Sequence, residues 1–385
     1  MILAFSLYKY FPFGGLQRDL LRIAEACHRR GARIRVYTFS WQGECPDWIE
    51  LCVVPKRGWS SQSKNRHFTR WVQEHMAAHP VDCLVGFNKM PGLDVYYAAD
   101  GCYEARVTEL YGSFYRLGGR YKHFSAYENA VFGAASATHI LMISQLQMPI
   151  FQRYYGTPSE RLHLLPPGIA RDRIAPANAA EIRQQFRREF GLADDELLVL
   201  MVGSGFRTKG VDRSVEALAA LPQALRDKTR LLVIGQDNPA SLQRLARKLK
   251  VESQFQVLTG RDDVPRFMQG AYLLIHPARH ENTGTVLVEA IVAGLPVLVT
   301  DVCGYAHFVE EAGMGRVLPS PFNAQQLPQA LAELLAVAHQ QRPQWRRKGA
   351  EFAANVDVYS MPEVAAERIL ALANDSTRIL AKESS

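Results

Sequence analysis

The chain has few cysteines, and none of the six sits in C-x-x-C spacing, which leaves little basis for a disulfide framework or a thiolate zinc site. Cys27, Cys45, Cys52, Cys83, Cys102 and Cys303 are scattered, several within apolar patterns, and read as core thiols in a reducing compartment. No apolar run approaches the roughly twenty residues of a membrane span. The apolar start Met1–Leu7 is short, lacks a basic leader and runs into Lys9, so a first strand is expected there, not a signal peptide. The histidines are dispersed without a Cys/His cluster, and the acidic run Asp194-Asp195-Glu196 reads as a solvated loop, so no metal centre is expected. Low-complexity segments are missing as well. What is present is a chain of 385 residues, 48% hydrophobic, too long for one ordinary core and therefore expected to form two domains. Its net charge of +7 favours an anionic partner: nucleic acid, a phosphorylated ligand or a membrane surface.

Short β-rich apolar runs alternate with helical patterns in two series, one from Ile2–Leu7 to Leu162–Leu165 and one from Leu197–Val202 to Gly315–Leu318. Alternation of this kind implies an α/β chain with parallel, doubly wound sheets whose ligands bind beyond the carboxyl ends of the strands. Between the series lies Pro166-Pro167-Gly168, where two prolines fix the backbone and glycine frees the next turn, so the first domain is expected to span 1–166. Past Ala324 the pattern is helical, with Pro343 and Pro362 read as helix starts and Ala381–Ser385 expected to fray.

The segment from Arg279 to Ala290 sets two carboxylates either side of a helix start: Glu281 in the loop, Glu289 about two turns along. Tyr272–His276 reads as a buried strand ended by Pro277, and Thr285–Ala293 as a helix stopped by Gly294. A helix start offers unpaired amides and a positive dipole end to an anion, while a second-turn carboxylate can accept from two sugar hydroxyls. Phosphate and ribose together suggest a nucleotide. Earlier, Gly203-Ser204-Gly205-Phe206-Arg207-Thr208-Lys209-Gly210 follows a strand directly; Gly203 and Gly205 allow close backbone approach, and Arg207 and Lys209 supply cations. A dinucleotide fingerprint fails because Thr208 stands where its third glycine belongs, and a P-loop fails because Lys209 precedes its glycine.

The spacing Glu281-x7-Glu289 resembles the E-x7-E motif of retaining glycosyltransferases of GT-B architecture, and the loop ending in Lys209 resembles their donor-diphosphate loop. Three further stretches, Tyr8–Asp19 with Gly14-Gly15, Gly86–Asp94 and Asp301–His307, resemble the lipopolysaccharide core glucosyltransferases of family 4 that modify the first inner-core heptose, and the likeness runs from Leu3 to about Pro362. It implies two facing Rossmann-like domains: 1–166 for the acceptor, 167–355 for a UDP-sugar, and a C-terminal helix, 356–385, packing back on the first. It implies that Glu281 and Asp19 lie by the donor sugar and Glu289 holds the ribose. Asp100 would face the reaction centre, and Arg173 would join Lys209 at the diphosphate. Gly14 and Gly15 would reach across to the donor, Gly284, Thr285 and Val286 would present the helix start, and Arg261 would pack on the uracil. Plain readings stand beside these: Asp19 as a first-turn helix carboxylate, Asp100 as a turn residue, Arg173 and Arg261 as solvated cations.

One departure from the resembled pattern concerns the donor. Small apolar residues usually follow the first glutamate in the resembled enzymes; here Asn282 and Thr283 do, which leaves the donor identity open and makes a UDP-N-acetylhexosamine credible beside UDP-glucose. No cofactor beyond the UDP-sugar substrate and no metal is expected, with Arg173, Lys209 and the helix start stabilising the leaving UDP. A heptosylated lipopolysaccharide acceptor requires contact with an anionic membrane. The segment Tyr103–Tyr127, which mixes Tyr111, Phe114, Tyr115, Tyr121 and Phe124 with Arg106, Arg116, Arg120 and Lys122, fits a peripheral site on the cytoplasmic face of the inner membrane. The same segment can instead be an amphipathic helix with its aromatics inside; no nucleic-acid signature accompanies it. Two other classes remain open: a UDP-N-acetylhexosamine 2-epimerase of the same architecture, and a non-enzymatic nucleotide-sugar or membrane-binding module.

Overall fold

Every apolar run of both series becomes a strand in the computed structural model, which describes residues 1–12 and 14–383, with side chains through Asn374. The expectation for Ala381–Ser385 lies outside the described side chains. The chain divides into two compact units, residues 1–168 with 360 onward, and residues 169–359. In the first, β1 (Ile2–Ser6), β2 (Arg33–Thr38), β3 (Ile49–Val53), β4 (Cys83–Gly86), β5 (Val95–Ala98), β6 (His139–Met142) and β7 (Leu162–Leu164) form one sheet ordered β3-β2-β1-β4-β5-β6-β7. In the second, β8 (Leu197–Val202), β9 (Thr229–Ile234), β10 (Phe255–Leu258), β11 (Leu273–His276), β12 (Val297–Thr300) and β13 (Gly315–Leu318) are ordered β10-β9-β8-β11-β12-β13.

Every pairing is parallel. Strands such as β8, Leu-Leu-Val-Leu-Met-Val, are apolar on both faces because helices cover both sides of such a sheet. Strand order reverses between β1 and β4 and between β8 and β11, and each reversal opens a crevice at the carboxyl ends. The Gly14 loop leaves β1, and the Lys209 and Glu281 loops leave β8 and β11, strands that flank those crevices; Asp100 follows β5, the neighbour of β4.

The helix Met361–Glu383 belongs to the first unit. Met361, Ala365, Ala366, Ile369 and Ala373 share one core with Leu20, Ile23, Ala24 and Cys27 of the helix Gly15–Arg29. Burial of Ile369 alone stabilises by roughly 1.5–3 kcal/mol. The exposed pair of Arg29 with Glu363, at 2.6 Å, adds at most about 1 kcal/mol, so packing decides the placement.

Gly168 follows the two prolines where a Cβ would lie 2.8 Å from the Met361 Cβ. One local expectation needs correction. Pro343 does not start a helix but sits within Ala338–Asn355, where the buried Ala338 and Trp345 hold the helix through the missing amide. Pro362 does fall in the first turn of its helix, where no amide partner is needed.

Candidate active site

The site in the second unit is assembled from the loops after β8 and β11. Gly203 and Gly205 have φ of +132° and +81°, conformations that side chains rarely adopt. A Cβ on Gly203 would lie 2.8 Å from Lys209 Cε, so this glycine is what lets the lysine run back across its own loop. Gly210 approaches the second loop as closely: a Cβ there would stand 2.1 Å from the Pro277 carbonyl. Arg279 then staples the loops together. Its amide donates to the Thr208 carbonyl at 2.7 Å, and its guanidinium grips both Asp212 oxygens at 2.7 Å.

At the centre Lys209 Nζ pairs with the Glu281 carboxylate, and His276 Nε2 lies 3.3 Å from the same oxygen, Oε2. Burial alone would raise the Glu281 carboxyl; the His276 hydrogen bond and the Lys209 charge outweigh it and hold it at about 2. Burial lowers the His276 pKa, so the ring is neutral near pH 7 and donates through Nε2–H. His276 is the last residue of β11 and fully buried; the strand pattern absorbed it as core, and the sequence reading passed it over.

Gly284, at φ +82°, precedes the helix Thr285–Val292. Thr285 and Val286 are half-buried at its open start. The loop is pinned from β12's side: Glu281 bridges to Cys303, and the Tyr305 amide donates to the Thr283 carbonyl at 2.8 Å. Thr283 is buried and Asn282 half-buried, directly after Glu281 in the chain. Two turns along, Glu289 is 9% exposed, with Arg173 Nε 3.6 Å from Oε1. Arg173, expected to join Lys209 at the diphosphate, approaches the second carboxylate because the turn Arg171–Arg173 lies by the helix Thr285–Val292.

Other expected residues are placed differently. The Arg207 side chain is exposed, and its carbonyl accepts from Arg279 at 2.9 Å. Arg261 is committed to Asp263 at 2.6 and 2.9 Å and packs over Phe267, 5.0 Å from the ring centroid. In the first unit Gly14 precedes the helix Gly15–Arg29 with an ordinary extended φ of −90°; a Cβ there would displace the end of the Gln17 side chain. Gly15 meets nothing within 4 Å and leaves that helix start open. Asp19 lies in the second turn, not the first, and accepts from the Tyr97 hydroxyl at 2.9 Å; burial raises its pKa. Asp100 is exposed just beyond β5. Among the described residues no three His, Cys, Asp or Glu side chains are grouped to hold a metal ion. His75 and His79, four apart near the end of one helix, do stack at 4.4 Å, but His75 Nδ1 is engaged by the Tyr37 hydroxyl and His79 Nδ1 by the His75 carbonyl.

Comparison with known proteins agrees with this arrangement. The family model described as glycosyl transferases group 1 matches residues 182–352, and that of glycosyltransferase family 4 matches residues 13–173. The lipopolysaccharide glucosyltransferase WaaG of Escherichia coli K12 is 47% identical over 369 residues, 96% of this chain and 98% of that protein. The α-D-kanosaminyltransferase of Streptomyces kanamyceticus is 31% identical over 57% of this chain and 55% of that protein. A WaaG crystal structure superposes with a TM-score of 0.89 over 95% of this chain and 99% of that one, at 47% identity. HepE of Anabaena, in complex with UDP-glucose, is 18% identical and shares the fold over 99% of this chain and all of that one, with a TM-score of 0.69. Neither the epimerase nor the binding-module reading is favoured by any of these. The chain belongs to the lipopolysaccharide glucosyltransferase branch of glycosyltransferase family 4, and it is a retaining, UDP-sugar-dependent hexosyltransferase of GT-B fold.

Proposed function

We propose that the protein moves one hexose, or one N-acetylhexosamine, from a UDP-sugar to the inner-core heptose of lipopolysaccharide. The observation that carries this is the paired arrangement in which Lys209 meets Glu281 and Arg173 meets Glu289 across a single helix start. Two cations and open helix amides suit a diphosphate, and the second-turn carboxylate suits ribose hydroxyls. The acceptor oxygen attacks the anomeric carbon as the bond from that carbon to the phosphate oxygen breaks. UDP leaves with the bonding electrons, and the acceptor proton passes to the departing phosphate on the same face, which retains configuration. Lys209, Arg173 and the helix start take up the charge that builds on UDP, so no divalent ion is required. Glu281 lies beside the sugar as a carboxylate and is assigned no nucleophilic role.

Asn282 and Thr283, directly after Glu281, are polar residues that suit an acetamido substituent, so an N-acetylhexosamine stands beside glucose as the donor. The acceptor is a lipid, and the first unit offers a surface for it. Phe114 is 88% and Leu117 70% exposed, next to exposed Arg106, Arg116, Arg120 and Lys122, whereas His123 and Tyr127 turn inward. That exposed face fits peripheral attachment to the anionic cytoplasmic face of the inner membrane. No helix among the described residues is long and apolar enough to cross a membrane.

The test is transfer from UDP-glucose, UDP-galactose, UDP-N-acetylglucosamine and UDP-N-acetylgalactosamine onto heptose-terminated lipopolysaccharide, read by mass without added metal. Addition of a single sugar supports the reaction and names the donor. Failure with every donor, by folded protein that binds UDP, overturns the acceptor.

A further inference from the structure

Three arginines gather around one tyrosine at the edge of the second sheet opposite the Glu281 loops, and the charge of a fourth, Arg346, acts on two of them. Arg183 and Arg187 are one turn apart on the helix Ala179–Glu189, and Arg342 and Arg346 one turn apart on Ala338–Asn355. The guanidinium carbons of Arg183, Arg187 and Arg342 lie 4.2, 5.5 and 5.5 Å from the centroid of the Tyr272 ring. Tyr272 is 5% exposed and immediately precedes β11, whereas the catalytic loop follows its last residue.

The cluster lacks acid. The groups that act most strongly on Arg342 are Arg183, Tyr272, Arg346 and Arg187, and on Arg183 they are Tyr272, Arg187 and Arg346. Carboxylates of adjoining segments are taken: Glu196 by Arg230 at 2.7 Å, Asp195 by Lys228 at 2.8 Å, Glu189 by Arg266. Burial, followed by the Arg183 charge, pushes the Arg342 guanidinium down to about 9.

Part of the charge answers a plain structural need. Arg183 donates to the carbonyls of Gln269, Gly270 and Ala271 at 3.2, 2.6 and 3.1 Å, and Arg342 to those of Ala271 and Gln269 at 2.8 and 2.7 Å. These carbonyls end the helix Val264–Gly270. A helix end carries only about half a negative charge, against four positive ones. The donors are not used up either: Arg183 Nη2 and Arg187 Nη1 are buried with no protein acceptor, Arg187 being 8% exposed. A buried guanidinium N–H without an acceptor is costly, and an oxyanion supplies acceptors of the kind these donors lack.

We propose that Arg183, Arg187, Arg342 and Arg346 form a binding site for a small oxyanion of the phosphate class, separate from the donor site. Planar guanidiniums present paired N–H groups that match two oxygens of a phosphate, and the Tyr272 face holds them in orientation. Chloride would answer the charge but not the fork. The bound anion would tie two helices to the segment that leads into β11, the strand ending at His276.

The experiment uses full-length protein saturated with UDP, so that the donor loops are already filled. Its melting temperature is followed against inorganic phosphate, with ionic strength held constant by chloride. A saturable rise is expected, with the apparent affinity weakened roughly tenfold in Arg183→Gln and in Arg342→Gln, the loss of one charge-assisted contact, and unchanged in Arg244→Gln, an exposed arginine of neither site. Tyr272→Asp gives the cluster an internal carboxylate and should abolish the response even if the arginine variants fold poorly. A flat titration of the wild-type protein, a response that survives Tyr272→Asp, or one lost in Arg244→Gln overturns the site.

Discussion

Lys209 and Glu281, 72 positions apart in sequence, close an ion pair across the β8 and β11 loops, and His276 donates to the carboxylate oxygen that the lysine holds. The glutamate is thereby kept ionised and aimed. Glu281→Gln retains the size and the hydrogen-bonding edge but loses the charge. It should lower kcat by roughly a hundredfold, the scale of one electrostatic stabiliser removed from a reaction centre, with UDP affinity changed less than threefold. Steady-state transfer and calorimetric UDP binding separate the two; a variant with wild-type kcat rules out a part for Glu281 in the reaction.

The same carboxylate sets a pH dependence. Its pKa is about 2 in the folded protein, below the ordinary 4.5, so between these values the unfolded chain binds a proton that the folded protein excludes. The stabilisation is complete above pH 4.5 and is lost as pH falls toward 2. Denaturant unfolding at steps from pH 5 to pH 2 should show wild-type stability falling more steeply than that of Glu281→Gln. Parallel slopes would mean that the pairing contributes nothing to stability.

Much of this was readable in one dimension, and the unread part has a common cause. Strand runs such as Leu197–Val202 and the helix start at Gly284 announce themselves through periodicity and punctuation, which are local. The two carboxylates were legible because their spacing places them on one loop and one helix. His276 was not, since a histidine ending an apolar strand looks like core until the loop five residues on folds back over it. The grip of Arg279 on Asp212 and the approach of Arg173 to Glu289 join segments 67 and 116 (289 − 173) positions apart, and no local pattern encodes such pairings.

Glu289→Ala should weaken UDP binding about tenfold or more. It removes a charged acceptor, worth about 1.5–3 kcal/mol in a hydrogen bond, and leaves Arg173 without the carboxylate 3.6 Å away. Calorimetric titration with UDP reads this directly, and unchanged affinity would detach the nucleotide from Glu289.

Gly203→Ala tests whether the glycine exists for the lysine. The added Cβ would fall 2.8 Å from Lys209 Cε, at a φ of +132° that alanine resists. Affinity for UDP-sugar should drop along with stability, the backbone share of the cost being about 1–3 kcal/mol. Lys209→Ala in the Gly203→Ala background should then add little further loss of affinity; additive losses would show that the two positions act separately.

In the first unit, Glu128 is fully buried and receives Lys89 Nζ, the amides of Tyr103 and Glu104 at 2.9 and 3.0 Å, and the Tyr155 hydroxyl at 2.6 Å. Lys89 also donates to the Gly101 carbonyl at 3.2 Å, so this one carboxylate fixes the loop that carries Asp100 and the start of the helix Tyr103–Leu110. Removing one partner of a buried ion pair usually costs about 3–5 kcal/mol. The two partners should nonetheless differ. Glu128→Ala strands a cation, two amides and a hydroxyl, whereas Lys89→Met removes the Nζ that lies 5.7 and 5.6 Å from the Phe132 and Phe151 ring centroids but leaves the carboxylate with three other donors. Urea unfolding should therefore find Glu128→Ala the more destabilised by at least about 1 kcal/mol. If Lys89→Met proves equal or worse, the lysine and not the glutamate is the hub of this loop.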